Sequence, residues 1–374
     1  MKMNLSRREW VKLGAGVGTS LLPGVSKAAD ALARATGSAH AKLRQKWAMG
    51  VDPAQTLPPE ATNGPWKNLR AVKEKKVFDV HCHCIGTPVQ GHRLTYKEDH
   101  QVHVPFVNYT NDLIAEMDRH GVAQAALTPS REPYETIVKN DVLQHLDRFV
   151  RSSGMPTEGS KGKDLTPRLV ADIYRTHLER DHCVLIGETA GDAMRAMLHS
   201  KKYTAKDFKP IADVVMEHDV PVQMHMGWSG IPIFVGSANY PYQAAWRWAE
   251  DMGSLLTEYP DIKFIMGHTG GPLAEPDGRE AVRLAFSFDN AYVDTSTSPP
   301  EIVTQVVRGI GAERVMFGSD FNSPHLNEHG PFHFSALYQY WYNLNTIANA
   351  DITEDQRDWV LYRSARKLLK LPEV

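Results

Sequence analysis

His81 and His83 flank a single residue in Asp79-Val80-His81-Cys82-His83, at the end of the apolar run 77 to 83. Side chains of an extended chain alternate between faces, so the two imidazoles project to one side and Cys82 and Cys84 to the other. Two imidazoles on one face can share a cation, whereas two cysteines so rigidly spaced along one strand make no easy disulfide. Four more polar residues end later apolar runs, where packing alone would favour aliphatic groups. They are Glu188 after CVLIG, His225 after VPVQM, His268 after IKFIMG and Asp320 after RVMFGS. Imidazoles and carboxylates together are the donors of a divalent metal that activates water.

For these residues to meet, the runs must be parallel strands of one sheet. The runs are 77 to 83, 122 to 128, 148 to 152, 183 to 188, 220 to 226, 262 to 268, 291 to 296 and 314 to 320. Helical periodicity separates them, clearest at 207 to 219, 242 to 258, 277 to 287 and 300 to 310. Eight strand-helix units predict an α/β fold, a (β/α)8 TIM barrel, whose active groups gather at the C-terminal ends of the strands. The third run, with Arg148 and Arg151, is short and polar. It leaves an open doubly wound sheet as the competing architecture. Two further helices, about 332 to 347 and 353 to 370, are expected to pack outside after the last strand.

His81-Cys82-His83, His225, Gly267-His268-Thr269-Gly270-Gly271 and Gly318-Ser319-Asp320 resemble, in order and spacing, the strand 1, 5, 6 and 8 motifs of the amidohydrolase superfamily. The nearest resemblance is to the branch that includes aminocarboxymuconate semialdehyde decarboxylase and related hydrolases, over about 77 to 372. It implies that His81, His83, His225 and Asp320 ligate a divalent metal, with Asp320 also the catalytic proton acceptor and His268 a catalytic group that polarises or orients substrate. Three nitrogens and a carboxylate suit zinc and also accept manganese or iron. Bound zinc lowers the pKa of its water from about 15.7 to about 7. Glu188, in Ile186-Gly187-Glu188-Thr189, resembles the strand 4 glutamate that bridges two metals in TatD-type nucleases. It is a further metal candidate, the alternative being a carboxylate bonded to neighbouring backbone. Relatives that place a carbamylated lysine here differ, since this run has no lysine.

Around the expected mouth, Arg131 could hold a substrate carboxylate with two hydrogen bonds. Trp228 could wall the pocket, Trp246 and His325 lie near the same mouth, with His325 a further substrate candidate, and glycines 270 and 271 would let substrate approach the backbone. The substrate is expected to be a small molecule. Hydrolysis of an amide, lactone or ester is the first reading of such a centre. Its rival is non-oxidative decarboxylation of an aromatic or unsaturated acid, for which Arg131 and Arg93 are the available arginines. A third reading is a non-catalytic metal-binding or solute-capturing protein of the cell envelope, which turnover of any ester would exclude. Oligomeric state is not legible in the sequence, and a homo-oligomer is left open.

The chain has 374 residues, 42% hydrophobic and 23% charged, enough for one large core. A formal net charge of −2 offers no field for a polyphosphate backbone, which argues against nucleic acid as a partner. Three cysteines, at 82, 84 and 183, form no disulfide framework. At the N-terminus, Ser6-Arg7-Arg8-Glu9-Trp10-Val11-Lys12 resembles a twin-arginine export signal. A mild apolar run and the small-residue patterns at 26 to 31 follow it. The expectation is a signal peptide over 1–35, export of the folded protein by the twin-arginine machinery to the periplasm, and no stable membrane span afterwards. An irregular arm over 36–75, with Pro53, Pro58, Pro59 and Pro65, would lead into a barrel domain at 76–374.

Overall fold

Each apolar run pairs with the next in the chain, and the last returns to the first. The computed structural model describes residues 63–84, 94–96, 100–102, 110–129, 142–154, 166–190, 204–226, 252–269, 277–321 and 336–373. The chain divides into two units, Met1–Gly50 and Val51–Val374, and every described residue lies in the second. The strands of the large sheet are β1 (Val77–Cys84), β2 (Val122–Pro129), β3 (Phe149–Ser153), β4 (Leu185–Ala190), β5 (Val222–His225), β6 (Phe264–Met266), β7 (Ala291–Asp294) and β8 (Val315–Met316), and Leu94–Tyr96 pairs antiparallel with His100–Val102 apart from it. All successive pairs are parallel, in chain order.

Closure comes just after β8. Val80 N donates to Phe317 O at 3.0 Å, Asp320 N to His81 O at 2.8 Å and His83 N to Phe321 O at 2.7 Å. These bonds join the end of the sheet to β1, so the sheet is a barrel and the open doubly wound alternative is set aside. The weak third run is a full member, paired on both sides. Its arginines stay out of the core: Arg148 bonds the carbonyls of Ala123 and Val122 at 3.0 and 3.1 Å, and Arg151 caps Asp181 O.

Alternation sorts the side chains. Phe78, Val80 and Cys82 of β1, with Val222 and Met224 of β5, are fully or almost fully buried toward the helices. Asp79, His81, His83, Gln223 and His225 take the other parity and face the barrel axis. The helical layer includes α1 (Thr110–His120), α2 (Pro167–Asp181), α3 (Ala205–His218), a segment at 252–258, α4 (Asp277–Ser287) and α5 (Pro300–Ile310). Start signals are physical: Thr166 Oγ1 accepts from Leu169 N at 3.2 Å ahead of Pro167, and Asp207 Oδ2 accepts from Thr204 N at 2.8 Å.

After β8 come α6 (Ala336–Asn349) and a final helical stretch over 354–368 whose middle, Trp359–Arg363, widens into π turns. Widening frees the Val360 carbonyl, which accepts from Phe317 N at 2.7 Å and pins the end of β8. The expected irregular arm needs correction over its last residues. Pro65–Asn68 form a 3₁₀ turn and Arg70–Lys73 a helical turn, because Pro65 presets the first dihedral and Trp66, 2% exposed, buries its ring. Trp66 N donates to Asn345 Oδ1 of α6 at 3.1 Å. The expected export signal lies outside the described residues, and among those described no helix is long and apolar enough to cross a membrane. Cys82 and Cys183 are buried thiols that form no disulfide.

Candidate metal centre

Six side chains expected to converge do so at the C-terminal mouth. His81 and His83 come from β1, Glu188 from β4 and His225 from β5, while His268 and Asp320 follow β6 and β8. Glycines make the approach possible. Gly187 has φ +136, and a Cβ there would meet Gln223 O at 2.5 Å. At Gly318 a Cβ would meet His81 Cβ at 2.8 Å. Any larger residue would push apart the strands that carry the histidines.

The donors form two groups sharing one carboxylate. His81 Nε2 and His83 Nε2 stand 3.0 Å apart, each 3.4 Å from Glu188 Oε2 and 3.7 and 3.4 Å, respectively, from Asp320 Oδ1. On the other side, Glu188 Oε1 lies 2.6 Å from His225 Nδ1 and 3.2 Å from His268 Nε2, and those two nitrogens are 3.2 Å apart. Donors around a tetrahedral zinc at about 2.0–2.2 Å are spaced roughly 3.3–3.6 Å. The spacings of the first group fall close to that range, so the residues present fit a divalent cation. His81 with His83 and Asp320, and His81 with Glu188 and His268, each have ligand atoms within 4.8 Å of one another.

Behind the rings, Asp294 at the end of β7 sets their orientation. Its Oδ2 accepts from His81 Nδ1 at 2.8 Å and from Gln223 Nε2 at 3.0 Å. Its Oδ1 accepts from Ser296 Oγ at 2.6 Å. With its proton given to Asp294, Ser296 Oγ accepts from His268 Nδ1 at 3.0 Å. One buried carboxylate thus aims the Nε2 lone pairs of two histidines at the mouth, the arrangement by which carboxylates orient metal-binding imidazoles.

Charge balance points the same way. Burial would raise the Glu188 carboxyl, but the facing His225 and His81 outweigh it and hold it well below the usual range. Burial likewise opposes ionisation of Asp294, and His81 overcomes it, bringing the carboxyl to about 2. Asp320 is lowered against burial by His268 and His83. The histidines respond in kind: burial would strip His83 of its proton, yet Asp320 and Glu188 hold it up to about 9. His81 and His225 are raised against burial, chiefly by Glu188. Ionised carboxylates this closely packed need positive charge among them, as protons or as a cation.

Asp294, Ser296, Gln223, Asp79 and Ser319 were not singled out from the sequence. Asp294 carried a usable signal, a carboxylate within the run 291 to 296 where packing alone would favour an aliphatic group. Arg93, Arg131, Trp228, Trp246, Gly270, Gly271 and His325 lie outside the described residues.

Comparisons with known proteins agree with this architecture. An uncharacterized TIM-barrel protein from Bordetella bronchiseptica is 12% identical, covering 79% of this chain and 98% of its own, with a TM-score of 0.54. A Staphylococcus aureus protein provisionally assigned as an amidohydrolase is 16% identical over 79% of this chain and 100% of its own, with a TM-score of 0.52. IDCase from Metarhizium anisopliae, in apo form, is 14% identical over 81% and 99%, with a TM-score of 0.50. These likenesses show a shared fold. No curated protein matches the chain. The family model described as amidohydrolase matches residues 190–371, a span that holds His225, His268 and Asp320.

Proposed function

We propose that the protein is a metal-dependent hydrolase of the amidohydrolase superfamily that cleaves an amide, lactone or ester of a small molecule. The observation that carries this reading is the meeting of four imidazoles and two carboxylates in one barrel mouth, where His81 with His83 and Asp320, and His81 with Glu188 and His268, have ligand atoms within 4.8 Å of one another and His225 lies against Glu188. His81, His83 and Asp320 would hold one cation, with Glu188 Oε2 beside them. Glu188 Oε1, His225 and His268 offer the same donor types and would hold a second, with Glu188 common to both sets. A bound divalent cation, zinc or else manganese or iron, supplies the Lewis acidity that brings a water near neutral pKa.

The chain's own groups do the rest. Asp320 accepts the proton of the attacking water and returns it to the leaving group. Its two oxygens face different histidines, Oδ1 toward His83 and Oδ2 toward His268 at 4.0 Å. Asp294 and Ser296 hold His81 and His268 in the tautomers that direct Nε2 inward. Decarboxylation of an aromatic or unsaturated acid on the same centre is the competing reaction, distinguished by release of carbon dioxide without consumption of water. Export through the twin-arginine route belongs to the same proposal, since that route carries proteins folded around their metal.

Asp320→Asn is the decisive variant. It preserves size and one oxygen but removes the basic site, so metal should remain while turnover of a panel of esters and lactones falls by about 10² to 10⁴-fold. Near-normal turnover in this variant would overturn the hydrolytic assignment.

A further inference from the structure

Asp79 is fully buried two residues before His81, yet its bonds run to backbone and to a hydroxyl. Oδ1 accepts from His81 N and from Ser319 N, both at 3.0 Å, and Oδ2 accepts from Ser319 Oγ at 2.5 Å. One carboxylate therefore ties β1 to the residue that precedes Asp320. Ser319 is gripped from the helical layer as well, because Asn343 Nδ2 of α6 donates to its carbonyl at 3.0 Å. Beyond Asp320, Phe321 N donates back to Ser319 Oγ at 3.0 Å. Both neighbours of Asp320 are thus fixed, and Asp320 between them has φ +53. That left-handed conformation is one that Asp adopts more readily than most L-residues, and the bonds on either side fix where it points. Thr297, in the loop after β7, shows the same device: φ +59, with its N–H captured by Asn343 Oδ1 at 2.8 Å.

Removing a carboxylate from water without compensation is costly, and a structural link at this point could be made by an apolar pair. The acid has a specific return here: it sets the direction of the next side chain along, Asp320, relative to His81 and His83. We propose that Asp79 is a positioning residue for Asp320, acting through Ser319 to hold that carboxylate at donor distance from the β1 histidines. The proposal rests on the metal-centre reading above.

Cobalt(II) titration of the full-length protein tests it, read by visible absorption, which reports both affinity and coordination geometry. Asp79→Ala should weaken cobalt binding by about 10 to 100-fold, the usual effect of losing a group that orients a ligand, and should shift the visible bands. Asp79→Asn keeps the Oδ1 acceptor and should fall between wild type and alanine. Asn290 is the control: it is buried and its side chain bonds the carbonyls of Leu256, Tyr259 and Ile262 at 3.3, 3.0 and 3.1 Å, none of them a residue of the mouth. Asn290→Ala should lower the melting temperature while leaving cobalt affinity within about twofold, as expected for an independent site. Unchanged affinity in Asp79→Ala, or an equal loss in Asn290→Ala, overturns the proposal. Should Asp79→Ala fail to fold, Ser319→Ala removes the shared hydroxyl alone, and wild-type affinity there would overturn it too. Wild-type protein that takes up no cobalt would overturn the metal-centre reading and this proposal together, an outcome distinct from wild-type binding with unaffected variants.

Discussion

Asp294 receives the Nδ1 proton of His81 at 2.8 Å and, through Ser296, fixes the same tautomer in His268. A strand that contributes no donor to the mouth therefore controls two of the donors that do. Asp294→Asn replaces an acceptor pair by an amide whose NH₂ can face the ring, releasing His81 to the other tautomer. Zinc affinity measured by chelator competition should drop by about 10 to 100-fold. Wild-type affinity in that variant would show that ring packing alone orients His81.

His268 and His225 face Glu188 Oε1, while His81 and His83 face Oε2. Elemental analysis of the purified protein is expected to find two divalent ions per chain. His268→Ala should retain one ion and lose most turnover. Single alanine variants of His81, His83 or His225 should bind metal less tightly, since each loses a donor. An empty His268→Ala would mean that the two groups fill only together.

The metal-free protein should be sensitive to alkaline pH. His83 is raised from 6.5 to about 9 by Asp320 and Glu188 acting against burial. A histidine whose folded pKa exceeds its unfolded value adds stability that is complete below the unfolded value and is lost as pH rises through the folded one. Between pH 6.5 and about 9, the melting temperature in chelator should therefore decline. Zinc should flatten that decline, because the cation takes the ring nitrogens in place of protons. A flat profile in chelator would argue that the carboxylates are balanced by something other than His83.

Arg7 and Arg8 are expected to route the folded protein out of the cytoplasm. Replacing both by lysine should leave full-length precursor in the cytoplasmic fraction, read by fractionation and immunoblotting. Mature protein outside the cytoplasm in that variant would refute the twin-arginine reading.

Strand count, the helices at 207 to 219, 277 to 287 and 300 to 310, and the convergence of His81, His83, Glu188, His225, His268 and Asp320 were legible along the chain, because they follow from local rules. An apolar run ending in a polar residue marks the C-terminal end of a barrel strand, and a period of two sorts ring from thiol. Other features depend on contacts between distant segments. Closure depended on bonds from β1 to residues 317–321, across some 240 positions, as in Ser319 N to Asp79 Oδ1. The helical turns around Trp66 were hidden among prolines, because the partner that buries them, α6, lies far down the chain. Arg148 and Arg151 made the third strand look polar because their guanidiniums serve carbonyls of neighbouring elements. The division of the donors between the two oxygens of Glu188, and the hold of Asp294 and Asp79 on residues they never adjoin in sequence, arise from distances and directions in three dimensions. Residue type and spacing name candidate donors; which lone pair faces which oxygen is set only when eight strands close around one axis.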